Sequence, residues 1–323
     1  MTDTQSASAL EAQSNPSPWP GRLALWTVIA AVPLILFGGA VTTMNAGMAE
    51  DDWMFPDGHL LWLYPWAMRI RDAGVFVEHH HRELGTLVGL LSILTVIATA
   101  VSGRRLGTKV LALLGLIAVC GQGALGAFRV LNNDSGLAFF HGSLGQAVFA
   151  LLAAVALVTS RKWQTVKHVP WAAEPRLYGM AVFITILVWV QATLGAVFRH
   201  NQAAHAALGG HVLVAIAVFV CVMVLSKRLK AAAQQSEVPS CAAGVLRRCA
   251  LLLTIFLHSQ VLLGILATMS IFMLSGKADG PETHAAELIT ATAHVMVGAG
   301  LLASATITAL WTGGMRMSGG GQA

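Results

Sequence analysis

Apolar residues fall into eight long runs, near 22–44, 82–101, 107–128, 137–159, 177–198, 204–225, 248–272 and 287–311, and most charges and prolines collect between them. About 20 apolar residues cross a bilayer as a helix. A strand barrel would need short alternating segments, and none occur. The pattern predicts an all-α, polytopic membrane protein with eight transmembrane helices. Polar residues inside the runs are rare, so each is informative. The even-numbered runs carry His81 in EHHHRELGTLVGLL, His141 in FFHGSLGQAVFALL, His211 in GGHVLVAIAVFV and His294 in TAHVMVGAGLLA, each near the outer end. A histidine in a membrane span is costly and usually faces the bundle interior as a ligand, relay or ion site. Four at matching depth suggest two facing pairs, as two haems or two metal centres would need.

The odd-numbered runs carry a second repeat. Gln122-Gly-Ala-Leu-Gly126, Gln191-Ala-Thr-Leu-Gly195 and Gln260-Val-Leu-Leu-Gly264 lie on the third, fifth and seventh, with glutamines 69 residues apart both times. A buried Gln can bond a neighbouring helix, and a Gly four residues on opens the same face for close packing; packing alone is an equal reading of these residues. The repetition implies duplicated hairpins, hence two pseudo-repeated four-helix bundles, 22–160 and 176–312. A basic cytoplasmic linker at 161–175 joins them, and they are flanked by a polar cytoplasmic tail at 1–21 that is expected to be disordered and a cytoplasmic tail at 313–323. His81, His141 and His294 each have Gly four residues later (Gly85, Gly145, Gly298). Residues i and i+4 share a helix face, so these glycines are expected to clear room beside the ligand for a flat macrocycle. In the sixth run His205 is the alternative to His211: it has Gly209 four residues on, whereas HVLVA at His211 parallels HVMVG at His294. His258, two residues before Gln260, is expected to make a core hydrogen bond. His79 and His80 either line the pocket or face water, and His59, His168, His200 and His284 are expected to be solvated.

Charge sets the orientation. Charged residues are 11% and hydrophobic ones 56% of the chain, against roughly 25% charged in soluble domains. With the N-terminus inside, 14 of the 20 Lys and Arg fall on the inner side, as the positive-inside rule requires. The net charge of +5 is thus an insertion signal, and no nucleic-acid partner is implied. Residues 1–21 have no basic n-region, so a tail is expected there rather than a cleaved signal peptide. Cys120, Cys221, Cys241 and Cys249 lie in runs or on the inner side without metal-cluster spacing, and read as small apolar fillers.

Glu78-His79-His80-His81-Arg82 has the form E-x-x-H-R, and Gly38 to Trp53 (GGAVTTMNAGMAEDDW) closes the first run with an amphipathic outer loop. With the Gln–Gly repeat and a histidine on every even run, the chain resembles the haem A synthase family of oxidase-assembly enzymes from about residue 22 to 312. The resemblance implies that His211 and His294 axially ligate a resident haem B, and that His81 and His141 bind the substrate haem O. It implies oxidation of a ring methyl to a formyl group by successive hydroxylation, with Glu78 as the family's functional glutamate. It also implies a plasma-membrane location, an electron acceptor and a link to the haem O-producing farnesyltransferase. Some family members pair cysteines in the first outer loop; none occur here between Met44 and Glu78.

The residues allow this chemistry in their own right. Imidazoles from facing helices can hold haem iron from both sides. Glu78, His81 and Arg82 share one side of a helix, so a carboxylate there can stabilise positive charge at an oxidised methyl carbon or accept a proton. The competing reading is an interfacial Glu78–Arg82 pair worth ~0.5 kcal/mol. Arg82, Arg129 and Arg199 are candidate partners for haem propionates, against simple snorkelling to the interface. A diheme b-type electron-transfer cytochrome needs the same histidines and is the alternative function. A transporter ranks third, because that class favours broken spans with midplane sites. Gly-rich spans also permit an oligomer.

Overall fold

The computed structural model describes residues 17–50, 52–166, 174–200, 205–274 and 281–319. Among the described residues, eight helices are long and apolar enough to cross a membrane, and the chain is an all-α, multi-pass membrane protein. We number them α1 (Trp19–Thr43), α2 (Ala73–Val101), α3 (Leu106–Asn132), α4 (Ser135–Thr159), α5 (Pro175–His200), α6 (His205–Ala232), α7 (Ser240–Met269) and α8 (Pro281–Gly319). The backbone needs no water in this form, because each helix satisfies its own N–H and C=O groups.

The ends of the helices follow local chemistry. Asp72 caps α2 by accepting from Gly74 N at 2.6 Å and Val75 N at 3.0 Å, and Asp134 caps α4 by accepting from Gly136 N and Leu137 N. Such caps are worth ~1 kcal/mol each. Asn133 closes α3 with φ of 47°, a left-handed conformation that Asn tolerates better than most residues. α7 runs into a π-helical turn, Ser270–Leu274.

Two expected boundaries move. α1 begins at Trp19, inside the segment read as a tail, and α8 continues to Gly319 through most of the expected C-terminal tail. The reason at α8 is aromatic packing. A side chain at Gly313 would meet Tyr178 at 2.8 Å, and one at Gly314 would meet Trp163 at the same distance. Trp163 also packs against Trp311, with centroids 4.8 Å apart and planes tilted by 54°. Trp163 belongs to a short helix, Arg161–Val166, at the start of the expected linker; residues 167–173 and the tail residues 1–16 and 320–323 lie outside the described residues.

Helix neighbours recur in order. α1 packs on α2, α2 on α3, α3 on α4 and α4 on α1; α5 through α8 close on one another the same way. The seam between the two sets is made by α4 with α8, α1 with α8, and α4 with α5. Most of the largest fully buried side chains (Leu177, Ile184, Leu225, Leu229, Leu246, Leu253 and Met315) lie toward the basic end of α5–α8.

Candidate functional site

The four histidines form two pairs. His81 on α2 faces His141 on α4, with ring centroids 6.1 Å apart and planes at 85°; His211 on α6 faces His294 on α8, at 6.2 Å and 70°. Two collinear imidazoles sharing one metal ion put their centroids ~6.3 Å apart, given metal–nitrogen bonds of ~2.0–2.1 Å. Both pairs are thus spaced for one ion between two rings. His205 is the first residue of α6, six residues and ~9 Å of helix from His211, and its side chain lies outside the described residues. Among the described residues no group of three or more His, Cys, Asp or Glu is arranged to hold a metal ion.

Each imidazole is seated against the preceding odd-numbered helix by two features four residues apart. His81 Nδ1 donates to Leu34 O at 3.0 Å, His141 Nδ1 to Gln122 O at 3.1 Å and His211 Nδ1 to Gln191 O at 3.0 Å. A Cβ at Gly38, Gly126, Gly195 or Gly264 would stand 2.7, 3.3, 2.9 or 3.0 Å from Cε1 of His81, His141, His211 or His294. The carbonyl takes the Nδ1 proton, which leaves Nε2 with its lone pair, and the glycine lets the flat ring lie on the backbone. This is the usual way a protein fixes the tautomer of a metal-ligating histidine. His294 varies the theme: Gln260 Nε2 donates to its Nε2 at 3.2 Å, and no partner within hydrogen-bond geometry is found for its Nδ1 among the described residues.

The Gln–Gly repeat is therefore a histidine seat, and it has a fourth copy that the sequence hid. Leu34 and Gly38 on α1 do for His81 what Gln122 and Gly126 do for His141. The working group at the first position is a backbone carbonyl, so its side chain is free to vary. Around the glycines four residues after the histidines, a Cβ at Gly85 would meet Leu34 Cδ1 at 3.9 Å and one at Gly145 would meet Gln122 Oε1 at 4.0 Å, both ordinary contacts, whereas one at Gly298 would stand 3.0 Å from Gln260 Nε2. Gln122, with its amide nitrogen toward α4, donates to His141 O at 3.1 Å and accepts from Gly145 N at 3.2 Å.

Above the first pair lies a buried charge network. Glu78 is 3% exposed; its Oε1 accepts from Arg82 Nη2 at 2.8 Å, and its Oε2 from Ala49 N at 2.8 Å and Glu50 N at 3.1 Å. Arg82 also donates to the carbonyls of Asp52, Trp53 and Glu50. It pins the first loop to α2, and its guanidinium is occupied by protein groups rather than free for a propionate. Asp52 is tied into the same loop: Met54 N and Phe55 N each donate to it at 2.7 Å. The Phe55 N–H, then the Met54 N–H, hold its carboxyl below the usual value.

The other two arginines differ. Arg199 on α5 reaches α1, donating to Gly39 O at 2.8 Å and to Thr43 Oγ1, so it ties the two sets of helices together. Arg129 on α3 rests where Gly47 lacks a side chain; a Cβ there would overlap its guanidinium. No hydrogen-bond or ion-pair partner for Arg129 is found among the described residues, while its charge acts on His81, His141 and Glu78. It is the cation best placed for an anionic ligand.

Three histidines depart from expectation. His258 is exposed on the outer face of α7, bonded to its own helix at Thr254 O (2.7 Å) and set against Phe219. It makes no core hydrogen bond, because position 258 falls on the face of α7 turned away from α8. His79 is fully buried, bonded to Glu50 Oε1 at 2.7 Å and stacked on Tyr64. His80 bonds Phe76 O and stacks on Phe37. His59 is exposed as expected, His168 lies outside the described residues, and so do the side chains of His200 and His284. Sequence reasoning missed Glu50, whose burial no local pattern signals. The four cysteines are free, with only Cys249 buried.

The model of a family described as cytochrome oxidase assembly protein (COX15-CtaA) matches residues 21–209. The match takes in Glu78, His81 and His141 and stops two residues before His211. No curated protein matches the chain.

Proposed function

The chain belongs to the cytochrome oxidase assembly family COX15-CtaA, and from that premise we propose that it is a haem A synthase, oxidising a ring methyl of haem O to the formyl group of haem A. The observation that carries the reading is the pair of imidazole sites. Each has the centroid spacing of a two-ring metal centre, and three of the four rings have Nδ1 bonded to a backbone carbonyl. The residues fit two haems, with His81 and His141 for the substrate haem O and His211 and His294 for a resident haem B. When bound, haem B would supply one-electron redox chemistry tuned by the imidazoles that hold it and by burial.

The side chains divide the remaining work. Turning a methyl into a formyl group takes two successive two-electron oxidations and adds one oxygen atom; with water as its source, four protons leave and an external acceptor takes the four electrons. Glu78 accepts from Arg82 and from two loop N–H groups, which fixes its carboxylate close to the first pair. From there it stabilises positive charge at the reacting carbon or receives its proton. Arg129 neutralises a propionate. His81 and His141 hold the substrate by its metal, so the macrocycle is oriented before reaction. We place the protein in the plasma membrane with both termini cytoplasmic and the histidine end outward, drawing haem O from the farnesyltransferase that makes it.

The test is extraction and mass analysis of haem from the purified protein, expressed in membranes supplied with haem O. Haem A together with haem B is the expected outcome, and E78Q should retain the low-spin haem spectrum while losing haem A. Recovery of haem B with unconverted haem O from the wild type would overturn the synthase reading in favour of a diheme b-type electron-transfer cytochrome.

A further inference from the structure

Glu50 is an acidic residue of a polar loop, yet it is 3% exposed. Its carboxylate spans two positions of α2: Oε1 meets His79 Nδ1 at 2.7 Å, and Oε2 lies 3.3 Å from Arg82 Nη1. Its backbone does a second job, since Glu50 N and Ala49 N are the two donors on Glu78 Oε2. One residue thus grips α2 with its side chain and presents its peptide to the candidate catalytic carboxylate. Nothing covalent holds this loop, because no cysteine lies between Met44 and Glu78. A buried carboxylate is stable only when paired, and Glu50 finds its partners only when the loop is seated on α2.

We infer that Glu50 is the positioning residue for Glu78, a charged latch that seats the first loop and so fixes the catalytic carboxylate. The inference rests on the role given to Glu78 above. With Glu50 in place, Glu78 keeps Arg82 on one oxygen and two peptide N–H groups on the other, and it cannot rotate about its terminal torsion. Without the carboxylate, His79 loses its acceptor and Arg82 Nη1 its ion-pair partner, the loop loosens, and Glu78 keeps only Arg82. Substrate would still be held by His81 and His141, which Glu50 does not touch.

The experiment compares wild type, E50A, E50Q and E78A in detergent or nanodiscs, reading amide hydrogen exchange at Ala49 and Glu50 in the haem-free protein, the haem O low-spin spectrum, and turnover. Losing hydrogen bonds to a charged group predicts exchange on the order of 10- to 100-fold faster in E50A and E78A. E50Q keeps the volume and one acceptor, so it should fall between E50A and wild type. In E50A turnover should drop about as far as exchange rises, with haem O affinity and spectrum unchanged. Wild-type exchange in both Glu50 variants overturns the latch, and so does faster exchange with unaltered turnover. If the wild type makes no haem A, the synthase reading falls, while the exchange data still decide whether Glu50 seats the loop.

Discussion

Replacing the seat glycines by alanine, one at a time, should remove haem in an order set by distance. A Cβ at Gly38 would stand 2.7 Å from His81 Cε1, one at Gly195 2.9 Å from His211, one at Gly264 3.0 Å from His294, and one at Gly126 3.3 Å from His141. Carbon atoms pack at ~3.5 Å or more, so the four rings must retreat by roughly 0.8, 0.6, 0.5 and 0.2 Å. The rings have little freedom to do so. His81 and His211 are anchored through Nδ1 at 3.0 Å to carbonyls on the same helix as the new methyl. Overpacking costs ~1–3 kcal/mol and a lost hydrogen bond ~1 kcal/mol. At ~1.4 kcal/mol per factor of ten, G38A and G195A should weaken haem binding at their own pair by roughly 30- to 700-fold. G126A should cost less than ~10-fold. Alanine is the better helix former by ~1 kcal/mol, so a loss of haem cannot come from a weakened helix. The assay is haem content of the purified variants by pyridine haemochrome, with haem O supplied for G38A and G126A and haem B for the other two, and thermal unfolding as a folding control. Equal losses in all four variants, or full retention in G38A, would refute the seat.

R129A should lower haem retention at the first pair, because Arg129 sits beside it and has no hydrogen-bond or ion-pair partner among the described residues, whereas R199A should loosen the α1–α5 contact. The propionate role for these arginines fails if haem content is unchanged in both variants. H258L should leave haem content untouched and stability the same or slightly higher, since His258 faces outward; loss of haem B in H258L would show a role its position does not predict. Asp52 gives an acid transition: its lowered value means its stabilisation is complete above the ordinary 3.8 and is lost as pH falls through the lowered value. Amide exchange at Met54 and Phe55 should therefore rise steeply only below that ordinary value in the wild type and be fast at all pH in D52N; identical profiles would remove Asp52 from the loop.

What the sequence determined was whatever depends on solvation. Eight runs of apolar residues leave a bilayer no alternative to eight helices, because an unpaired peptide group in hydrocarbon is too expensive. The same cost made His81, His141, His211 and His294 legible, since a polar residue in such a run has to be used. The Gln–Gly repeat was visible, but its purpose was not, and Leu34 with Gly38 could not be recognised as its fourth member. The seat is a backbone carbonyl and an absent side chain, neither of which has a letter of its own. Glu50, Arg82 and His258 were decided by the tertiary structure alone. Which face of a helix turns inward, and which loop folds onto it, depends on neighbours distant in sequence. Arg82 became a loop staple because Glu50, Asp52 and Trp53 fold back onto α2. His258 lost its expected core bond because it lies on the face of α7 turned away from α8. Burial preferences are written residue by residue along the chain, whereas hydrogen-bond partners are a property of helices already packed.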